Sequence, residues 1–467
     1  MKKVFYALED LDKRCYEEFY LSEDLLMEHA AQELSKQIRK RLKKGKKILY
    51  ICGSGNNGAD GIASARILHK DYEVALFMPL SQKSQMAKLQ LKRAKALGIK
   101  ILTHLEEADC YVDCLFGSGF KKQMSEEISF LIHTLNQKIG IKIACDIPSG
   151  IDADGYIQNE AFNADVTVSM GALKEALYSD IAKEYIGTIK VANLGVSRQV
   201  YETNSDVFVL EKEDLKLPVR AKKNTHKGEF GHTCILSGEK SGASILSATA
   251  AFNLGSGLVS IIAKEIENIP PFLIKTHHLP HNVSVVVAGM GLGEIENELL
   301  YEYLLSHPKP LVIDADLFYQ EVILEILEKK KNIVLTPHPK EFCALLKLTN
   351  LAQISVNELQ NHRMRYVKIF AKKYPHITLL LKGANTLITH KEKVYINPLG
   401  DTRLSKGGSG DVLAGFIGSL IAQGYTNLEA SIHASLAHVL SVKKMKLASY
   451  ALNPLDICEG IKWLQKK

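Results

Sequence analysis

Apolar and polar positions along the chain follow two alternating periods. Short apolar runs have the length and β-branched content of buried strands: "KKILYIC" (46–52), "YEVALFM" (72–78), "CYVDCLF" (110–116), "IKIACDI" (141–147) and "ADVTVSM" (164–170). Between them lie stretches with helical spacing, such as "GADGIASARILHK" and "SQMAKLQLKRAKALG". This order predicts a parallel sheet with helices on both faces, a Rossmann-like three-layer α/β/α domain. The first 40 residues predict an extra helical arm. A second strand–helix series runs through "HTCILSG", "GLVSIIA", "VSVVVAGMG", "PLVIDAD", "NIVLTPHP" and "ITLLLKGA". No repeat relates the two series, so two unlike α/β domains are expected. The stretch from Gly195 to Gly228 is polar, charged and weakly periodic. The expected boundaries are therefore a first domain over 1–205, a linker over 206–224 and a second domain over 225–467.

Composition narrows this picture without changing it. Of 467 residues, 46% are hydrophobic and 24% charged, an ordinary globular balance. No apolar run reaches the about 18 residues of a membrane span. The N-terminus lacks the apolar core of a signal peptide, so a cytoplasmic protein is expected, without a membrane partner. The eight cysteines are scattered, mostly inside apolar runs, and read as buried free thiols. Net charge is +7, and the densest basic run, Ser35–Lys47, reads as a solvated face leading into a strand. No aromatics interleave with it, so no nucleic-acid partner is expected. The mild positive excess suits phosphorylated small molecules.

Ligands of open parallel sheets sit beyond the carboxyl ends of the strands. The chemistry-bearing residues follow the apolar runs in both halves. After the first run, Gly53, Gly55 and Gly58 form a G-x-G-x-x-G that opens a helix. The acid that normally ends the second strand of a dinucleotide fold is missing, and Asn56, Asn57 and Asp60 crowd the turn. "CYVDCLFGSGF" adds Asp113 and a second glycine loop; "DIPSGIDADG" adds Asp146, Ser149 and Asp152. An amide, a carboxylate and a hydroxyl converging on one spot make an all-oxygen site that suits a hard cation. A carboxylate left free beside it can act as a general base.

The motifs "GSGNNGADG", "VDCLFGSGF" and "DIPSGIDADG", with "LLMEHAA" upstream, resemble the epimerase domain of the NAD(P)H-hydrate repair enzymes. That family interconverts the R and S forms of NADH and NADPH hydrated at C6 of the nicotinamide ring. The resemblance implies that Asn56, Asn57, Gly58, Ala59 and Asp60, with Gly117, Ser118, Gly119, Phe120, Lys121, Lys122 and Gln123, bind the substrate. It implies that Asn57, Asp113 and Ser149 hold K⁺, and that Asp146 contacts the substrate as the acid/base. Two departures stand out: Ser54 replaces a usual proline and Ala59 a usual glycine. If position 59 required positive φ, alanine would be strained there.

In the second half, "KGGSGDVLAGFIGSLIAQG" (406–424) sets glycines 407, 408 and 410 and Asp411 at the start of a long apolar helix. Helix N-termini attract anions, and glycines let backbone N–H groups approach a phosphate. A carboxylate beside a phosphate repels it, so Asp411 points to phosphoryl transfer with a base rather than to simple binding. Other strand ends carry Lys382, Gly383, Asn385 and Thr386, His338 with Glu341, and Asp314 with Asp316, which suit Mg²⁺ by way of water. The helix within "SGEKSGASILSATAAFNLGSGLVSI" is rich in small residues, for close packing of a helix or of a flat ligand.

The pattern "AGMGLG", "TPHPKEF", "LKGANT", "GGSGDVLAG" resembles the ADP/ATP-dependent dehydratase domain of the same family, whose fold is ribokinase-like. The resemblance implies that Ala243, Gly291, His338 and Asp411 contact the hydrated dinucleotide, NADHX or NADPHX. It implies that Lys382, Gly383, Ala384, Asn385, Thr386 and Gly410 contact the adenine nucleotide, ADP or ATP, as co-substrate. Ser409 stands for a usual threonine, and in "DADLF" a usual glycine is filled by Ala315. The implied reaction is repair: the first domain epimerises, and the second phosphorylates the C6 hydroxyl of the S form and expels phosphate. A homo-oligomer is expected. The rival reading is a ribokinase-like vitamin-precursor kinase fused to a non-catalytic nucleotide- or RNA-binding domain.

Overall fold

The computed structural model describes residues 1–120, 123–263, 266–293 and 302–464. The chain divides into two compact units, Lys3–Ser205 and Asp206–Lys467, the latter with Met1–Lys2.

In the first unit, strands β2 (Lys47–Cys52), β3 (Glu73–Phe77), β4 (Lys100–Leu102), β5 (Cys110–Cys114), β6 (Ile141–Cys145), β7 (Val166–Met170) and β9 (Thr188–Ala192) build a sheet. Its order is β4-β3-β2-β5-β6-β7-β9 and every pairing is parallel. Side chains alternate across it. Ile48, Tyr50 and Cys52 enter one buried cluster with Cys110, Val112 and Cys114, whereas Leu49, Ile51 and Tyr111 enter another. Each face thus carries its own core, which explains why the runs read as continuously apolar. Helices Glu23–Arg39 and Asn56–Leu68 cover one face, and Glu126–Gln137 covers the other. Ser22, Ser84 and Ser125 cap their helices by accepting the N–H of Leu25, Ala87 and Ile128.

The N-terminal segment is more than an added arm. Strand β1 (Lys2–Phe5) pairs in parallel with β8 (Leu173–Lys174), Val4 against Leu173. Leu26, Ala30, Leu34 and Ile38 of the Glu23–Arg39 helix lie in the core beneath the sheet. Their spacing of three and four residues is the apolar stripe of a core helix.

The second unit orders its strands β13-β12-β11-β14-β15-β16-β17-β18-β19-β10. These are β10 (Val207–Val209), β11 (His232–Leu236), β12 (Leu258–Ile262), β13 (Ile274–Thr276), β14 (Val285–Ala288), β15 (Leu311–Ile313), β16 (Ile333–Leu335), β17 (Thr378–Leu381), β18 (Thr386–His390) and β19 (Lys393–Asn397). The order is parallel from β13 to β17 and turns antiparallel through β18 and β19. The polar stretch expected to be a linker is built into this unit. Val207–Val209 pairs with β19, Leu210 is buried, and Leu215 and Leu217 pack on the same core. Charged neighbours dilute the apolar signal there, because only every second residue faces inward.

The small-residue helix, Ser241–Asn253, crosses the Ser409–Ala422 helix at close range. A Cβ on Gly415 would meet the Ser247 carbonyl oxygen at 2.1 Å. Helix packing therefore accounts for these small side chains. All eight cysteines are free, and all but half-buried Cys343 are buried. Among the described residues no helix is long and apolar enough to cross a membrane.

Candidate active sites

Both clusters of polar residues lie where parallel strands end. In the first unit the glycine turn after β2 is pressed against the turn after β5. A Cβ on Gly53 would sit 1.8 Å from the Leu115 carbonyl oxygen, and one on Gly58 would sit 2.1 Å from that of Gly53. Asn57 then donates its Nδ2 to the Phe116 carbonyl at 2.8 Å. Its Oδ1 is buried and has no hydrogen-bond partner among the described residues. Asp113 is fully buried; it accepts the Ser149 N–H and Oγ–H, each at 2.7 Å, and the Leu115 N–H at 3.1 Å. Burial pushes its carboxyl up to about 6, against the pull of those donors. Ser149 Oγ accepts the Phe116 N–H at 3.0 Å. Asn57, Asp113 and Ser149 thus meet around Phe116.

Asp146 follows β6 with φ 73°, a left-handed conformation that a non-glycine residue holds only under constraint. Its Oδ2 accepts the Ser118 N–H at 3.0 Å, and its Oδ1 the Met170 N–H at 3.2 Å. A Cβ on Gly117 would lie 3.0 Å from Oδ2. Oδ1 also takes the ammonium of Lys174, which sequence reasoning missed. Burial alone would raise the Asp146 carboxyl, but Lys174 and the two backbone donors hold it below the usual range. Asp60 responds oppositely. Burial, then the charges of Asp146, Asp12 and Glu23, push it far up, with Lys174 opposing. The two carboxyls are thus pushed in opposite directions.

The remaining predicted residues divide. Ser118, Gly119 and Phe120 form a tight turn, with the Phe120 N–H donating to the Gly117 carbonyl at 3.1 Å and its ring stacked on Phe116 at 4.3 Å. Asn56 is exposed and its Nδ2 donates to Glu23 at 2.7 Å. Gln123 is exposed, and Lys121 and Lys122 lie outside the described residues. Ala59 is buried inside the Asn56–Leu68 helix without positive φ, so alanine is unstrained there.

In the second unit the helix Ser409–Ala422 starts from Gly408, whose φ is 88°. Directly at that start Lys382, after β17, and Asp314, after β15, form an ion pair at 2.5 Å. The Cβ that Gly410 lacks would lie 3.1 Å from Lys382 Nζ and 3.6 Å from Asp314 Oδ2. Asp411 faces the same group. Burial raises its carboxyl to about 6, Asp314 and Asp316 add to the rise, and Lys382 opposes it. Asp316 Oδ2 accepts the Gly293 N–H at 3.0 Å. Gly291, with φ 61°, lies against Ala243; a Cβ there would be 3.3 Å from the Ala243 methyl.

His338 caps the Pro339–Leu348 helix. Its Nδ1 accepts the N–H of Lys340 and Glu341, and its Nε2 lies 3.0 Å from Glu341 Oε1. Burial and Lys382 lower its pKa, so the ring is neutral. Burial pushes Glu341 up to about 7. The 382–386 turn is braced from below by Arg363, another residue that sequence reasoning missed. Its guanidinium donates to the carbonyls of Leu381, Lys382 and Asn385 at 3.3, 2.8 and 3.2 Å. Gly383 leaves room for it, since a Cβ there would lie 2.2 Å from the guanidinium and displace it. Asn385 is buried, and Thr386 Oγ1 lies 3.5 Å from the Gly383 carbonyl. Ser409 is buried, with its Oγ 3.1 Å from His438 Nε2, so its hydroxyl faces inward. Neither Arg363 nor His438 sits in a glycine-rich motif, which is why pattern alone did not find them.

Ala315 has φ 51°, at the position where a glycine is usual. Ala315→Gly is expected to stabilise the second unit by about 1 kcal/mol, by relieving left-handed strain. The urea midpoint of that unit's unfolding measures it.

Comparison with known proteins matches both halves. A family described as NAD(P)H-hydrate dehydratase matches residues 233–462, and one described as YjeF-related protein N-terminus matches residues 23–176. A bifunctional NAD(P)H-hydrate repair enzyme of Helicobacter pylori is 46% identical over 99% of this chain and 100% of its own. One from Dictyoglomus turgidum is 31% identical over 96% and 95%. The ADP/ATP-dependent NAD(P)H-hydrate dehydratase of Bacillus subtilis, co-crystallised with ATP and Mg²⁺, superposes with a TM-score of 0.48 at 24% identity, covering 55% of this chain and 97% of its own. The chain belongs to the bifunctional NAD(P)H-hydrate repair enzymes and joins an epimerase domain to a dehydratase domain on one polypeptide.

Proposed function

We propose that residues 3–205 epimerise the R and S hydrates of NADH and NADPH through Asp146, and that residues 206–467 dehydrate the S hydrate through Asp411 with ADP or ATP. The observation that carries this reading is the pairing of each carboxylate with a backbone cradle at a strand end. Asp146 sits beside the 117–120 turn, and Asp411 beside the Gly408–Gly410 helix start.

Epimerisation needs the C6 centre to lose its configuration. Asp146 takes the proton of the C6 hydroxyl as the C6–N1 bond breaks, leaving an aldehyde, and returns that proton to N1. Rotation and the reverse steps close the ring on the other face. Asp60, its carboxyl pushed up by burial and by Asp146, donates to the substrate's oxygen in its protonated form. Asn57 Oδ1 is a buried oxygen without a protein donor among the described residues. With Asp113 and Ser149 it makes the hard donor set that suits K⁺. When bound, K⁺ would supply fixed positive charge at that donor set.

Dehydration needs a better leaving group than hydroxide. Asp411 takes the C6 hydroxyl proton as that oxygen attacks the terminal phosphorus of the nucleotide. The N–H groups at 408–410 and Lys382 steady the transferred group. The ring nitrogen's electron pair then expels phosphate from C6, leaving an iminium, and loss of a C5 proton to the departing phosphate or to water restores the C5–C6 double bond of the dihydropyridine. Asp314, Asp316 and Asp411 outnumber the single ammonium of Lys382, an anionic excess that fits Mg²⁺. When bound with the nucleotide, Mg²⁺ neutralises phosphate oxygens. His338, Ala243 and Gly291 line the place for the hydrated ring, and 382–386 takes the adenine nucleotide. The eight free cysteines favour a reducing compartment, the cytoplasm.

The test is recovery of the NADH absorbance band from separated R and S hydrates, with ADP and ATP in parallel. S alone is expected to recover at once, and R only at the rate of epimerisation. A stable phosphorylated product, or equal rates from R and S with Asp146→Ala, would defeat the reading. Replacing K⁺ by tetramethylammonium is expected to slow recovery from R by about tenfold, to lower the melting temperature of the first unit, and to leave recovery from S unchanged.

A further inference from the structure

Lys174 occupies a position that the reaction as described leaves unused. It ends the two-residue strand β8, and its side chain is only 2% exposed. An ammonium has three donors. All three are engaged: with Asp146 Oδ1 at 2.5 Å, the Met170 carbonyl at 3.0 Å and Ser169 Oγ at 3.2 Å. The nitrogen therefore has one position available to it. Met170, Ser169 and Lys174 belong to one short stretch, so this position is set by the β7–β8 connection.

The consequence falls on Asp146. Its Oδ1 receives both the ammonium and the Met170 N–H, whereas among the described residues its Oδ2 receives only the Ser118 N–H and borders Gly117. The two oxygens are thus unequal: one is tied to Lys174 and Met170, and the other faces the Gly117–Ser118 turn. A buried ion pair is a poor device for stability, since an apolar pair of equal volume does as well. Its presence at this carboxylate therefore points to another role.

We propose that Lys174 is a positioning residue for epimerisation, which locks Oδ1 of Asp146 inward so that Oδ2 is the oxygen that exchanges a proton with the C6 hydroxyl. This rests on the assignment of Asp146 as the acid/base. Lys174 does not touch the substrate; it acts through Asp146, fixing which oxygen reacts and where.

The experiment uses the full chain, in which dehydration of the S hydrate reports on the second unit and R-to-S conversion on the first. Lys174→Met is expected to lower kcat for R-to-S conversion by about 100-fold, the cost of a misplaced reacting group. KM should stay within about threefold and dehydration of S should be unchanged. In Asp146→Asn, adding Lys174→Met should change the remaining rate by less than about twofold, because the two act as one unit. A merely structural lysine predicts the opposite: the second substitution multiplies the first loss by its full amount. That result, a loss confined to KM, or a wild-type kcat in Lys174→Met, overturns the proposal. Should Lys174→Met fail to fold by its thermal melt, Lys174→Arg decides. It keeps the charge, loses the three-way geometry and is expected to lose about tenfold in kcat; a wild-type kcat there overturns the proposal. If Asp146→Asn itself converts R to S at the wild-type rate, the assignment of Asp146 has failed. If Asp146→Asn is inactive and Lys174→Met is unimpaired, only the role of Lys174 has failed.

Discussion

Asp411→Asn is expected to lower kcat for dehydration of the S hydrate by about 10³-fold, the usual worth of a positioned base. R-to-S conversion should be untouched. The substitution keeps the shape of the side chain and removes its charge. Nucleotide affinity should therefore hold or improve, because the carboxylate repels the phosphate that it serves. A rate loss coupled to weaker nucleotide binding would instead mark Asp411 as part of the cradle. The pH dependence gives a second reading of the same group. Burial, reinforced by Asp314 and Asp316, lifts the Asp411 carboxyl to about 6. A base works when ionised, so kcat/KM for the S hydrate should be half-maximal at about pH 6, level off above it and approach a tenfold fall per pH unit below it. An acid limb near the ordinary carboxylate range, or none, would remove Asp411 as the base.

Asp146→Ala is expected to abolish R-to-S conversion, with a loss of at least about 10³-fold. It should also leave the Lys174 ammonium buried and unpaired, which costs about 3–5 kcal/mol. Asp146→Asn separates the two effects, since its amide oxygen still accepts from Lys174. Similar loss of turnover in both variants, with a large drop in melting temperature only in the alanine variant, assigns chemistry to the carboxylate and the lost stability to the ammonium left unpaired. Unchanged interconversion in either variant would end the assignment.

The apolar runs marked the central strands of both sheets well, because a strand buried on both faces has no polar alternation to confuse it. The edges were harder. β1 and β8 are short, and β10 is diluted by charged neighbours, so their burial comes from tertiary pairing rather than local pattern. Glycine turns located Asn57, Asp113, Asp146 and Asp411, since close backbone approach forces glycine into the sequence itself. The groups that tune those residues left no such mark. Lys174 and Arg363 are buried cations, and a lone basic residue in a sequence is normally a solvated one. His338 was legible as a residue of interest, but its part in capping its helix appears only in three dimensions.

Arg363 carries one more consequence. A guanidinium stays charged at every pH that a folded protein survives, so the carbonyls of Leu381, Lys382 and Asn385 keep their brace across the whole titration range. The nucleotide shelf is in effect acid-proof. Whatever falls away as the solution is acidified belongs to the carboxyls at the shelf's edge, Asp411 at about 6 and Glu341 at about 7, and not to the shelf.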